Sequence, residues 1–221
     1  MIKVFWLIVF TLSMALVEAA VVIYLRDIYY PDGFAFPLKI LSEKHLTVEI
    51  AREAATIFML ISVAAFCGTR FWEKFSYFII CFGFWDLFYY VWLNILIGWP
   101  SSLIEWDVLF LIPLPWIGPV VAPMIVAATM LIIGFFILFL YKIGYSFVPS
   151  LISWILVPAG TTSILYSFMA DYGATLHQKI PLPYRYELLL IGELLYFIAL
   201  FFAWKNTARK NRTSKHKTHN K

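Results

Sequence analysis

SYFIICFGFWDLFYYVWLNILIG, residues Ser76–Gly98, decides the fold of this chain. It runs for 23 residues with a single charged side chain, Asp86. As a helix it reaches roughly 34 Å at ~1.5 Å per residue, enough to cross ~30 Å of hydrocarbon. Five further apolar runs of similar length lie to either side, at about Val4–Leu25, Val48–Gly68, Ile117–Leu140, Phe147–Met169 and Tyr186–Trp204. The first resembles a secretory signal, with Lys3 ahead of it and the small-residue stretch Val17-Glu18-Ala19 inside it. Its apolar run is nevertheless longer than the ~7–15 residues of a signal core, which favours an uncleaved span.

Composition agrees. Of 221 residues, 62% are hydrophobic and 14% charged, against about 45–50% and about 25% in a soluble domain. Too little polar surface is present to cover a water-soluble core. A soluble enzyme, a DNA-binding domain, a disordered chain and a disulfide-stapled secreted module are all excluded. The expected fold is all-α: a polytopic transmembrane helix bundle of about six spans forming one domain over residues 1–204. Five or seven spans are the alternatives, according to how Leu103–Ile112 is threaded. That segment is apolar but too short to cross, and suits a re-entrant or interfacial helix.

The net charge of +4 is concentrated. Seven of the 17 Lys and Arg fall in the last 17 residues, KNTARKNRTSKHKTHNK. No aromatic residue interleaves them, so a nucleic-acid arm is not indicated. A basic, disordered cytoplasmic tail over 205–221 that touches anionic headgroups is the simpler reading. With six spans, both termini then face the cytoplasm. The tail carries this orientation alone, because Lys3, Arg70, Lys74 and Lys142 on the inner side are balanced by Arg26, Lys39, Lys44, Lys179 and Arg185 outside.

On that orientation the inner connections are short and the three outer ones long and proline-rich. Ile-Pro-Leu-Pro occurs twice, at 112–115 and 180–183, and proline makes such stretches stiff and non-helical. The working face is expected on the outer side. Three-plus-three inverted symmetry of the transporter kind is not visible.

Charges inside spans are the second signal. Glu18, Glu53, Asp86 and Glu193 fall within the apolar runs, with Arg52 among them. A charge at a span centre costs about 2.5–3.5 kcal/mol on insertion scales, so such residues usually face a bundle interior or a wet cavity. Glu49, Arg52, Glu53 and Thr56 share one helix face by spacing, as do Asp86, Tyr90 and Asn94. Four acids against one arginine leave three excess negative charges, which require protonation, water or a bound cation. Glu105, Trp106, Asp107 and Trp116, in the loop after the third span, are candidates for the cavity mouth. Three readings follow. One is an outward-facing acidic cavity that binds or passes a proton or small cation, with Asp86 central, Glu53, Glu18 and Glu193 as further carboxylates and Arg52 tuning them. The second is an intramembrane enzyme or binding protein for a lipid or other small ligand. The third is a structural or assembly subunit in which Arg52 pairs with Asp86 or Glu53 as a strut.

No cofactor or metal site is implied. The spans contain no lysine for a Schiff base, His45 and His177 are the only histidines before the tail, and phosphate-loop, H-E-x-x-H and G-x-S-x-G motifs are missing. Cys67 and Cys81 are not expected to form a structural disulfide. The inner halves of the spans carry only small polar groups such as Thr11, Ser13 and Ser62, which counts against an open channel. Gly- and Ala-containing faces suit packing within the chain or in a homo-oligomer.

FGFWDLFYYVWLNILIGWPSSLIEWDVLFLIPLPWIGPVVAP, Phe82–Pro123, together with EIAREAATIFML at Glu49–Leu60 and YLRDIYYPDGFAFPL at Tyr24–Leu38, resembles small multi-spanning membrane proteins of bacteria and archaea that carry no assigned function. The resemblance implies the inner (plasma) membrane of a prokaryote and no activity, substrate or catalytic residue.

Overall fold

In a computed structural model, which describes residues 2–219 and the side chains through 212, the chain forms six long helices. They are α1 (Ile2–Tyr29), α2 (Glu43–Cys67), α3 (Phe71–Ile97), α4 (Val121–Lys142), α5 (Leu151–Met169) and, after the single-turn α6 (Tyr172–Leu176), α7 (Tyr186–His219). All six long helices are long and apolar enough to cross a membrane. Their outward surfaces are apolar: Phe5, Val17, Phe58, Phe66, Phe139, Trp154, Ile155 and Leu194 are exposed. A soluble protein would bury these side chains, whereas here the bilayer is the solvent that covers them. The chain is a multi-pass membrane protein.

Helix ends are set locally. Ser42 accepts a hydrogen bond from the His45 N–H to start α2, and Ser150 accepts from the Ser153 N–H to start α5. Glu73 accepts from the backbone N–H groups of Thr69 and Arg70, fixing the tight turn between α2 and α3. Gly98 closes α3 in the left-handed region at φ 68°, where a side chain would be strained.

The helices pack as two groups. Helix α3 is the hub of the first, contacting α1, α2 and α4, while α5 and α7 form a pair. Leu7, Met14, Leu60, Ala64, Tyr77, Ile80 and Cys81 fill the core between α1, α2 and α3. Glycine permits the closest approaches. A Cβ on Gly160 of α5 would lie 2.9 Å from the Gly192 carbonyl of α7, and one on Gly192 would lie 2.8 Å from the Gly160 carbonyl. Such contacts bring backbones together where lipid supplies no hydrophobic drive.

Loops at the two ends of the bundle differ. One end carries the turn 68–70 and the segment 143–150; the other carries the long connections 30–42, 98–120 and 170–185. The latter is called the loop end here. In the second long connection the expected helix over Leu103–Ile112 is replaced by an antiparallel hairpin, β1 (Trp106–Phe110) and β2 (Trp116–Pro119). Asp107 pairs with Gly118 and Val108 with Ile117, with an irregularity between Val108 and Phe110. The apolar run hid this outcome, but Pro113 and Pro115 forbid helical continuation and place the turn between the strands. The Leu111 N–H at the hairpin turn reaches Glu53 of α2.

The segment expected as a disordered tail over 205–221 is helical as far as His219, with 220–221 outside the described residues. Helix α7 continues past Trp204 to His219. Its extension is docked: Thr207 accepts from the Val148 N–H, Asn206 donates to the carbonyls of Val148 and Pro149, and Asn211 donates to that of Ser146. These side chains satisfy the backbone of the segment ahead of α5, and the basic residues between them are compatible with helix.

Candidate functional site

At the loop end, α1, α2, α3 and the hairpin enclose a cavity of about 280 Å³. Each helix contributes one polar face, as the i, i+4 spacing requires. Glu18 and Arg26 come from α1; Glu49, Arg52, Glu53 and Thr56 from α2; Asp86, Tyr89 and Tyr90 from α3; Asp107 from β1. Tyr29, Tyr30, Phe34, Leu38, Lys39, Ile40 and Leu41 line it from the end of α1 and the connection that follows. That connection is held down by tyrosine: the Tyr29 hydroxyl accepts from the Ser42 N–H and bonds His45 Nδ1 at 2.7 Å, and the Tyr30 hydroxyl accepts from the Lys39 N–H.

Two ion-pair systems organise the wall. Arg52 donates to Glu49 Oε2 through Nε and Nη2, at 3.0 and 2.6 Å, and through Nη1 to Glu18. This ties α1 to α2; the strut expected between Arg52 and Asp86 or Glu53 does not form. Arg26 makes the second pair, donating to Asp107 Oδ1 at 2.9 Å. Its guanidinium lies 3.7 Å from the centroid of the Trp99 ring and 4.2 Å from that of Phe34. Flat cation faces covered by aromatic rings are a favourable way to bury arginine. Both residues are almost fully buried, Arg26 at 8% and Asp107 at 2% exposure. Burial pushes the Asp107 carboxyl up from the usual aspartate range, and the Arg26 guanidinium pulls it partly back.

The pairing leaves polar groups over. Arg26 Nη1 and Asp107 Oδ2 are buried without a hydrogen-bond partner. The Tyr90 hydroxyl also helps to hold the Asp107 carboxyl down. Glu53 accepts the Leu111 N–H with both oxygens at 2.9 Å, so it serves the hairpin backbone rather than an arginine. Asp86 makes no hydrogen bond or ion pair among the described residues, and its side chain remains partly accessible in the cavity wall. The carboxyl groups of Glu18, Glu49, Glu53, Asp86 and Asp107 face the guanidinium groups of Arg26 and Arg52, with the Lys39 ammonium as the remaining cation in the lining.

Other sequence candidates lie elsewhere. Glu193 is buried on α7, where it accepts from Thr129 of α4 at 2.5 Å, and its second oxygen has no partner. It belongs to the seam between the two helix groups and not to the cavity lining. Asn94 donates to the Pro100 carbonyl beyond the end of α3. Glu105 accepts from the Ser101 N–H at 3.1 Å and from its hydroxyl, shaping the loop before the hairpin. Trp106 packs on Phe36 and Tyr184, and Trp116 stacks on Phe168 of α5. Of the four mouth candidates, only Asp107 lines the cavity.

Arg26 is the principal residue that sequence reasoning placed elsewhere, as an outer-loop charge. A signal existed: it stands eight residues after Glu18, two i, i+4 steps along one helix face, with Val22 between them in the cavity wall. Thr129, which satisfies Glu193, carried no comparable mark. Among the described residues no group of three or more His, Cys, Asp or Glu is placed to hold a metal ion. Compared with protein-family models, with curated proteins and with solved structures, the chain matches none of them.

Proposed function

We propose that this is a cation-binding membrane protein whose loop-end cavity is the binding site. The observation that carries the reading is Asp86, a carboxylate in the cavity wall with no partner of its own, beside four further carboxyl groups. An unpaired acid in a low-dielectric setting is costly, and a cation that enters removes the cost. Binding is favoured over conduction. Below the cavity, Leu7, Leu60, Ile80 and Cys81 close the space between α1, α2 and α3. The hydroxyls of Thr11, Ser13 and Ser62 in that half bond to carbonyls of their own helices, and form no polar path across. The positive-inside rule, applied to the basic extension of α7, favours both termini in the cytoplasm and a cavity that opens outward, and the family resemblance favours a prokaryotic plasma membrane.

The test is thermal unfolding of the purified protein in detergent with sodium, potassium, magnesium, calcium and ethanolammonium salts at matched ionic strength. A ligand at 100 times its Kd stabilises the native state by about 2.7 kcal/mol. At least one cation is expected to raise the wild-type Tm, and Asp86→Asn to abolish the rise while Thr56→Val preserves it. Equal melting of wild type in every salt, or a rise that Asp86→Asn retains in full, refutes the reading.

A further inference from the structure

The cavity has a floor. Its lining includes nothing of α1 before Glu18, nothing of α2 after Thr56 and nothing of α3 before Trp85. Because α1 and α3 run toward the loop end and α2 away from it, these are the deepest positions on each helix. Asp86 therefore stands at the bottom, eleven residues or roughly 16 Å below the end of α3 and near the middle of the span. The other acids are already held. Glu18, also at the floor, takes Arg52 on one oxygen and the Thr56 hydroxyl, at 3.5 Å, on the other. Higher up, Glu49 is held by Arg52, Glu53 by the Leu111 N–H and Asp107 by Arg26. Charge is thus answered locally at each level, and one carboxylate of the lining is left over among the described residues.

One free carboxylate on such a floor selects an ammonium over a metal ion. A bare metal ion needs several converging oxygen ligands, and no group of three or more His, Cys, Asp or Glu is placed to hold one among the described residues. An ammonium has only three protons to donate, and aromatic rings serve it well on its remaining sides. Asp86 offers two oxygens. Tyr89, three residues on along the same face, adds a ring and a hydroxyl that has no hydrogen-bond partner among the described residues. Above the floor the wall changes character. Between Glu18 and Arg26, α1 presents only Val22 and Leu25 to the cavity, and β1 adds Val108, Leu109 and Phe110. A hydrated ion would leave this apolar stretch wet, whereas a hydrocarbon or aromatic body would cover it. The volume of about 280 Å³ stands at the lower edge of small-molecule pockets. Entry is from the loop end, where Ile40, Leu46 and Leu176 line the cavity and are exposed.

We infer that the cavity takes a small organic monoamine, with its ammonium at Asp86 and Tyr89 and a compact apolar body rising between Val22, Leu25 and β1. This rests on the cation-binding reading and adds the ligand class. One positive charge answers one unpaired carboxylate, so neither a dication nor a second, anionic group on the ligand is called for. The ion pair fixes which end of the molecule points down. The body contributes through the apolar area it removes from water, which a bare ammonium cannot do.

The experiment follows the Tm of detergent-solubilised full-length protein against phenethylammonium, methylammonium and sodium chlorides, with 2-phenylethanol as the uncharged counterpart. Phenethylammonium is expected to stabilise at concentrations at least about tenfold below methylammonium and sodium, and 2-phenylethanol not at all. Asp86→Asn is expected to weaken the phenethylammonium response about tenfold or more. Val22→Phe, which fills the apolar stretch, is expected to weaken it as strongly while leaving the methylammonium response in place, a split that general destabilisation does not produce. The ligand series on wild type needs no variant. Equal response to phenethylammonium and methylammonium overturns the inference and leaves the cation site standing. So does a response to sodium alone that Asp86→Asn abolishes. Equal response to phenethylammonium and 2-phenylethanol overturns the inference and the cation reading together, because charge then plays no part.

Discussion

The pairing of α5 with α7 and the loop end of the first helix group are held by opposite means. Between α5 and α7 the contact is made by glycine: Gly160 and Gly192 bring the backbones together, and Ser153 and Ser163 add hydrogen bonds to the carbonyls of Ala199 and Leu188. Between α1, α2 and the hairpin it is made by charge, through Arg52 with Glu18 and Glu49 and through Arg26 with Asp107. Small-residue packing is inexpensive in a membrane, whereas each buried ion carries a desolvation cost of several kcal/mol before its partner offsets it. The same chain uses the cheaper method where only packing is at issue. Charge at the loop end therefore answers a different need: a non-helical hairpin whose backbone must be satisfied.

The sharpest way to break that contrast is Arg26→Met. It leaves Asp107 buried without its cation and is expected to cost about 3–5 kcal/mol, read as a fall in the urea or thermal midpoint. Arg26→Met with Asp107→Leu should recover most of the loss, because both orphaned charges are then gone. If the single variant melts like wild type, the pair is not what holds the hairpin to α1. Next comes Gly192→Val, expected to cost about 1–3 kcal/mol through overpacking against Gly160 and Ile164 while leaving ligand-induced stabilisation intact. Loss of the ligand response in that variant would show that the two groups are not separable. Thr207→Val should cost about 1 kcal/mol by stranding the Val148 N–H, and should speed proteolysis after Lys205 or Arg209. Smallest of all in the absence of ligand is Asp86→Asn, expected within about 0.5 kcal/mol of wild type or slightly more stable, since it removes an unpaired charge. A large destabilisation there would mean that Asp86 has a structural partner.

How much of this was legible in sequence depends on which direction was being read. Along the axis, run lengths located all six spans, with every end but the last within five residues, because hydrocarbon thickness imposes a length on apolar sequence; α7 runs on past Trp204 to His219. Burial is readable in part: Glu53 and Glu193 are buried, whereas Glu18 and Asp86 are half-buried in the cavity wall. Around the axis the reading fails. Glu18 and Glu193 are both acids within spans, yet one meets Arg52 and the other meets Thr129, since nothing in a single chain says which helix stands next to which. Arg52 found Glu49 one turn away on its own helix and Glu18 across the gap, while the expected partners Asp86 and Glu53 took other roles. The apolarity of Leu103–Ile112 points to a helix, whereas Pro113 and Pro115 point to the turn that forms. The tail was read from charge alone, and Asn206, Thr207 and Asn211, which dock it, look like ordinary polar residues.

The hairpin has a mechanical consequence. At one end Glu53 grips the Leu111 N–H from α2; at the other, Trp116 lies flat against Phe168 of α5, with rings 6° from parallel. Beyond the α4–α7 seam, β1 and β2 are thus a tie bar between the two helix groups. A sideways shift of α2 therefore pulls on Glu53 and is delivered to α5 through one aromatic ring.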